Sequence, residues 1–230
     1  MEFKKYKITN ISDTADKIRI FLLEPVDGIN IAFKPGQFVK IYDLERKMFR
    51  PYSMTSLSSA NILEFAIKLE GGSFTSYLAS LKAGDCVWIE GPLGHFYYNG
   101  ENKVAFIAGG IGIAPLIGMI REIAAEKKSG DFILFYSAKS SSDFAYFEEL
   151  KKLGKLQKNI KIVFALTREK PDSGDWELKR IDADMIKKYV PNPGEFHWYV
   201  CGPLKMTFGL KDVLLKLGIR PENIKFEGWG

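Results

Sequence analysis

Apolar and polar side chains alternate in short runs over the first hundred residues. KYKITNI (5–11), KIRIFLL (17–23), QFVKIYD (37–43), ILEFAIKL (62–69) and CVWIEG (86–91) are rich in β-branched and aromatic residues. This is the pattern of half-buried strands. Turn formers punctuate them at Asp27-Gly28, Lys34-Pro35-Gly36 and Lys82-Ala83-Gly84-Asp85. Strands this short and this closely spaced predict an antiparallel sandwich or barrel of Greek-key type. One helical segment, 73–81, interrupts it.

From about residue 102 the rhythm changes. Apolar strands at 104–108, 132–136, 160–166 and 198–200 alternate with helical patterns at 115–128, 144–153, 182–189 and 205–217, the last stopped by Gly218. Strand–helix alternation predicts an α/β, Rossmann-like parallel sheet with helices on its faces. The change falls near 99–102, giving two domains, 1–100 and 101–230.

The run VAFIAGGIGIAPLIGMI (104–120) has seventeen positions without a charge. A spanning helix needs about 20 apolar residues and tolerates few breakers, so strand, glycine turn and helix is the better division. Pro115 suits a first helical position, and Lys127 and Lys128 suit the last turn of a helix ending near Gly130. No membrane span is expected.

Composition narrows the classes. Hydrophobic content of 46% and charged content of 27% fit a soluble globular protein. The net charge of +5 comes from scattered lysines, a solvated surface rather than a nucleic-acid stripe. Cys86 and Cys201 give no disulfide framework, no metal spacing and too few thiolates for an iron–sulfur cluster. The alternating N-terminus has no apolar signal region. Cytoplasmic placement is the expectation.

Each predicted strand of the second half ends in an unusual cluster: GGIGIAP, SAKSSS, TRE and CGP. Open parallel sheets bind ligands beyond those strand ends. In GGIGIAP, Gly109, Gly110 and Gly112 would let backbone N–H groups approach an anion at a helix N-terminus, or form an ordinary βα turn. In RPYS, Arg50 and Tyr52 share one face of an extended segment, with Pro51 between them and Ser53 adjacent. A guanidinium beside a flat ring suits a phosphorylated aromatic cofactor, and equally a structural arginine beside a core tyrosine. GGSFTSYL repeats the glycine-turn logic with Gly71, Gly72, Ser73, Phe74 and Thr75, unless Ser73 or Thr75 only caps the helix. His95 and His197 lack partners for general-base work, and no metal site is expected. H-E-x-x-H and G-x-S-x-G are absent, which removes the usual support for a hydrolase.

Taken in order, RPYS, GGSFTSYL, GPLGHF, GGIGIAP, CGP and FEGWG resemble the ferredoxin–NADP reductase superfamily over essentially the whole chain. The resemblance implies a flavin-binding barrel followed by an NAD(P)-binding domain. Arg50 would pair with the flavin phosphate, Tyr52 would pack on the isoalloxazine, and Ser53 would bond near its reactive nitrogen. Residues 72–75 would hold the pyrophosphate of FAD, with FMN the lesser fit. Gly110, Gly112 and Pro115 would shape the nucleotide site, and Cys201, Gly202 and Pro203 would flank the nicotinamide. Glu227 matches the family's C-terminal acid, and Trp229 its terminal aromatic, although Gly230 follows it. Thr75 stands where serine is usual. No fused iron–sulfur domain is expected.

The implied function passes hydride from NAD(P)H to FAD and electrons onward to a ferredoxin-like acceptor or cluster-bearing subunit, or the reverse. An electron-transfer subunit, a free-flavin reductase and a nucleotide-binding module without turnover are the rivals. Ser53, Cys201 and Glu227 are expected to position the rings rather than act as strong acids or bases. A Rossmann site reading NAD often has an acid at the end of its second strand. Here Lys139 stands there, with Thr167 and Arg168 after the third strand, so NADPH is favoured over NADH if the cations meet a 2′-phosphate.

Overall fold

The computed structural model describes residues 3–229, the side chain of Trp229 excepted. Six strands, β1 (Phe3–Ala15), β2 (Ile18–Pro25), β3 (Phe38–Tyr42), β4 (Phe49–Ser53), β5 (Leu63–Lys68) and β6 (Cys86–Leu93), form an antiparallel sheet in the order β4-β3-β6-β1-β2-β5. It curls as a half-barrel around Tyr6, Phe21, Val39, Phe65 and Ile89. Helix α1 (Ser73–Ser80) adds Phe74 and Leu78 to that core.

A second, parallel sheet holds β7 (Lys103–Gly109), β8 (Asp131–Ala138), β9 (Ile160–Leu166), β10 (His197–Pro203) and β11 (Ile224–Trp229), ordered β11-β10-β7-β8-β9. Helices α2 (Ile113–Ala125) and α3 (Phe147–Leu156) supply Leu116, Ile120 and Leu150 to one face. On the other face α4 (Ala183–Tyr189) and α5 (Leu204–Lys216) bring Met185, Ile186, Leu210 and Leu214. The chain runs outward from β7 through β8 to β9, then returns to β10 on β7's other side. The switch point between β7 and β10 opens a crevice at the strands' C-terminal ends.

Strand β2 is apolar on both faces. Phe21 and Leu23 point into the half-barrel core, while Ile18 and Ile20, with Ala66 of β5, pack into the cluster containing Leu116 and Met119. The two sheets therefore share a core.

Two helices differ from expectation at their ends. A 3-10 turn, Gly110–Gly112, runs straight into α2, so Pro115 is its third residue. The helix stops at Ala125, and Lys127 turns left-handed at φ 49°, which leaves Lys127 and Lys128 beyond the last turn. α3 starts three residues later than its pattern suggests, because Ser141–Asp143 forms a 3-10 turn and Tyr146 sits at φ 60°. Phe144 and Tyr146 are buried anyway, which explains the apolar spacing there. Among the described residues no helix is long and apolar enough to cross a membrane.

Candidate functional site

Extended backbone in β4 places Arg50 opposite Ile41 and Tyr52 opposite Val39, turning both toward the inner face while Pro51 lies on the other. Tyr52 stacks on Phe74 of α1, centroids 6.4 Å apart and tilted 24°. That contact brings RPYS and GGSFT together. Burial pushes the Tyr52 phenol up to about 12, so it stays neutral. Arg50 is exposed, and the only hydrogen bond of its side chain among the described residues is Nη1 to the Phe49 carbonyl at 2.8 Å. Ser53, half-buried at the strand's end, faces Phe38 across the pair.

Gly71 takes φ +74°, with nothing within 4 Å of where a Cβ would stand. The helix cap comes from Thr75. Its hydroxyl accepts from the Gly72 N–H at 2.8 Å and donates to the Gly72 carbonyl at 3.1 Å. Among the described residues the N–H groups of Ser73, Phe74 and Thr75 keep no acceptor, as the first N–H groups of a helix do, and the turn before them, Gly71 to Ser73, is exposed. With Arg50 nearby, this chain offers two anion-seeking donors beside one aromatic ring. Such a set fits a flavin carrying a diphosphate better than one carrying a single phosphate.

In the parallel half, Gly109 closes β7 and Gly110 takes φ +54° beside open space. Gly112 and Pro115 are buried beneath them. Gly109 and Gly202 lie so close that a Cβ on Gly202 would stand 3.3 Å from the Gly109 nitrogen, under Met206. A cavity of about 640 Å³ opens here, lined by Gly109, Gly110, Lys139, Thr167 and Pro203 together with Arg180, Lys205 and Met206. The half-barrel contributes Asp16, Ile18 and Lys68 to its wall. The cavity meets four cations, Lys68, Lys139, Arg180 and Lys205, against Asp16 and Asp143. Asp143 is already engaged by the Ser140 N–H and hydroxyl.

Arg168 does not line this cavity. Its backbone N–H donates to the Lys139 carbonyl at 3.1 Å while its side chain is exposed. Arg180, twelve residues on in the loop that returns beside β9, takes the lining position. No local pattern marks it; only the path of that loop, bridged at Ala165 and Glu177, brings it there.

Register places Cys201 between Ala108 of β7 and Glu227 of β11. Burial, and then the Glu227 charge, push the Cys201 thiol well up, so it is a neutral small side chain rather than a thiolate. Burial likewise pushes the Glu227 carboxyl above its ordinary 4.5. Trp229 pairs with Pro203 through its backbone; the role expected of its side chain lies outside the described residues. His95 is exposed, and His197 stands 3.8 Å from Glu101. Among the described residues no cluster of His, Cys, Asp or Glu could hold a metal ion.

Comparison with known proteins finds one family model in each half of the chain. Residues 5–98 match the family model of an oxidoreductase FAD-binding domain, and residues 106–212 that of an oxidoreductase NAD-binding domain. The toluate 1,2-dioxygenase electron transfer component of Pseudomonas putida is 29% identical over 223 residues, covering 96% of this chain and 66% of its own length. A component of the Na(+)-translocating NADH-quinone reductase of Methylococcus capsulatus is 33% identical over 166 residues, covering 69% of this chain and 40% of its own length. The chain thus spans less than two thirds of either relative. Among solved structures, the FAD/NAD-binding domain of nitric oxide dioxygenase from Vibrio cholerae superposes with TM-score 0.90 at 23% identity, covering 99% of this chain and 98% of that one. A ferredoxin NADP+ reductase from Neisseria gonorrhoeae with bound FAD and NADP gives 0.83 at 21%, covering 99% of each. Two family models, each on its own sheet and together spanning most of the sequence, place this chain in the ferredoxin–NADP reductase superfamily of FAD- and NAD(P)-binding oxidoreductases.

Proposed function

We propose that the chain is an NAD(P)H-dependent flavin reductase whose electrons pass to a protein acceptor such as a ferredoxin or a cluster-bearing subunit. Residues 1–100 would form its flavin domain and 101–230 its nucleotide domain. The observation that carries this reading is the cation-rimmed cavity at the β7–β10 switch point, walled by both sheets and floored by glycine. Bound there and on β4, flavin and nicotinamide supply hydride and electron transfer; the chain supplies placement.

In this reading Arg50 and the N–H groups of 73–75 hold the flavin phosphates, and Tyr52 supports its ring. Gly109 and Gly110 admit the nucleotide pyrophosphate. Cys201, Gly202 and Pro203 form a flat, uncharged wall for the nicotinamide. Ser53 offers a hydroxyl with no partner among the described side chains, free to bond a ring nitrogen. Glu227, whose burial raises its pKa above the ordinary 4.5, offers a carboxyl beside Cys201 that holds its proton more tightly than an exposed one. Lys139 and Arg180 favour a 2′-phosphate, hence NADPH over NADH, while Thr167 spends its hydroxyl on the Ala138 carbonyl at 3.0 Å. A cytoplasmic setting belongs to this reading, in which a soluble pyridine nucleotide is the electron donor.

The test is the visible spectrum of the purified chain before and after anaerobic NADPH or NADH. A flavin spectrum that bleaches, faster with NADPH, is expected. A colourless protein that remains so after added FAD removes the flavoenzyme reading.

A further inference from the structure

Two residues beyond Ser53, the half-barrel is gripped by the nucleotide half of the molecule. Arg121 of α2, 17% exposed, donates four hydrogen bonds. Nε and Nη2 fork onto the two Glu149 oxygens at 2.6 and 2.7 Å. Nη1 reaches the Thr55 carbonyl and Glu64 Oε1, both at 2.7 Å. The Tyr146 ring lies 4.8 Å beneath the guanidinium, and its hydroxyl meets Glu64 at 2.8 Å and Thr55 at 3.2 Å. Thr55 and Glu64 belong to the half-barrel; Arg121, Tyr146 and Glu149 belong to the parallel half. One turn earlier on α2, a Cβ on Gly118 would stand 3.2 Å from the Met54 carbonyl, and one residue later Glu122 accepts from the Ser58 hydroxyl at 2.6 Å.

The chemistry of this cluster points to placement. A buried ion pair is weak evidence for stability, since apolar residues could fill the same volume equally well. The shared core already joins the halves, but apolar contact is non-directional. A forked guanidinium is directional, and it holds the segment leaving Tyr52-Ser53 against the helix that begins at the Gly110–Gly112 turn.

We propose that Arg121 is a positioning residue that sets the register between the flavin-side strand end and the nucleotide cradle, and thereby the alignment of the two redox rings. The proposal rests on the flavin reductase reading above. It is tested with Arg121→Lys, which keeps the charge and loses the fork, and with Tyr146→Phe, which keeps the ring and loses the hydroxyl. In flavin-free protein, hydrogen exchange at the Thr55 amide, bonded to the Glu64 carbonyl at 2.9 Å, is expected to quicken in both variants. With cofactors loaded, FAD and nucleotide affinities are expected to stay within about threefold. Single-turnover hydride transfer is expected to fall roughly ten- to hundredfold in Arg121→Lys, the cost of a small misplacement, and the long-wavelength charge-transfer absorbance to weaken with it.

Wild-type rates and charge-transfer absorbance in both variants overturn the proposal. So does a rate loss that only tracks lost FAD, which marks a merely structural part. If Arg121→Lys does not fold, Tyr146→Phe decides by the same criteria. Wild-type protein that never bleaches with NAD(P)H sinks the flavoenzyme reading instead, and the exchange result still reports on the clamp.

Discussion

Gly110→Ala separates the cost of a backbone conformation from the cost of blocking an anion site. Gly110 sits at φ +54°, and nothing lies within 4 Å of where its Cβ would stand. The side chain would therefore meet no protein atom, and the folding penalty is the left-handed conformation alone, about 1–2 kcal/mol. For a chain of this length that is a melting shift of about 2–8 °C. The open space is also the mouth of the cavity lined by Gly109 and Gly110. A methyl group there keeps a pyrophosphate from closing on the turn's N–H groups, and a lost hydrogen bond to a charged group costs about 1.5–3 kcal/mol, roughly a ten- to 150-fold weaker Kd. The assay pairs NADP+ titration calorimetry with thermal melting and with FAD content measured by absorbance. The expected variant is folded, yellow and deaf to nucleotide. A nucleotide Kd within twofold of wild type in a folded Gly110→Ala protein would refute the cradle, and so would loss of FAD with nucleotide binding intact.

Three further outcomes follow from the same geometry. Arg50→Gln is expected to weaken FAD binding roughly ten- to hundredfold while leaving the melting of flavin-free protein unchanged, because among the described residues the side chain bonds only the Phe49 carbonyl; an equal loss in both would make Arg50 structural. Arg180→Ala is expected to raise the KM for NADPH and leave that for NADH alone, whereas Arg168→Ala changes neither, and steady-state kinetics with both nucleotides on both variants distinguish the two arginines. Burial raises the Glu227 pKa, so the folded state binds its proton more tightly than the unfolded chain; the resulting stability is complete below the unfolded value and is lost as pH rises through the folded one. Glu227→Gln removes that slope, so its denaturant midpoint should gain on wild type as pH rises above the unfolded carboxyl's value; a constant difference across the titration would contradict the shift.

The legible parts of the sequence were those in which one physical cause acts locally. Alternation in 86–91 and uninterrupted apolar character in 104–108 marked β6 and β7, because one strand is packed on a single face and the other on both. The glycine cluster after the first parallel strand marked the turn that closes β7, where Gly110 takes a left-handed φ of +54°. The illegible parts needed the third dimension. KIRIFLL breaks strict alternation because β2 is buried by its own core on one side and by Leu116 and Met119 on the other. KFEGW carries no strong strand pattern, yet β11 forms because β10 offers it a parallel edge from Trp198 to Pro203. Arg180 and Arg168 are equally cationic in the sequence; the loop's return past Ala165 decides which one reaches the cavity. Arg121 stands in the sequence only as the charged end of an apolar run.

That last residue shows why the two sites are not independent. Helix α2 begins at the turn that would receive the nucleotide, packs its Gly118 on the Met54 carbonyl, and carries the Arg121 fork one turn further on. A helix is stiff over 13 residues, so a shift at either end is felt at the other. Strand β4 and the Met54–Thr55 segment are equally short of slack, with the Met54 N–H bonded to the Gln37 carbonyl at 3.1 Å and the Thr55 N–H to the Glu64 carbonyl. A chain that only had to bind two ligands could let its domains move freely. Directional bonds at this seam add little stability over apolar packing, so their physical consequence is alignment, the quantity on which transfer between two bound rings depends most steeply.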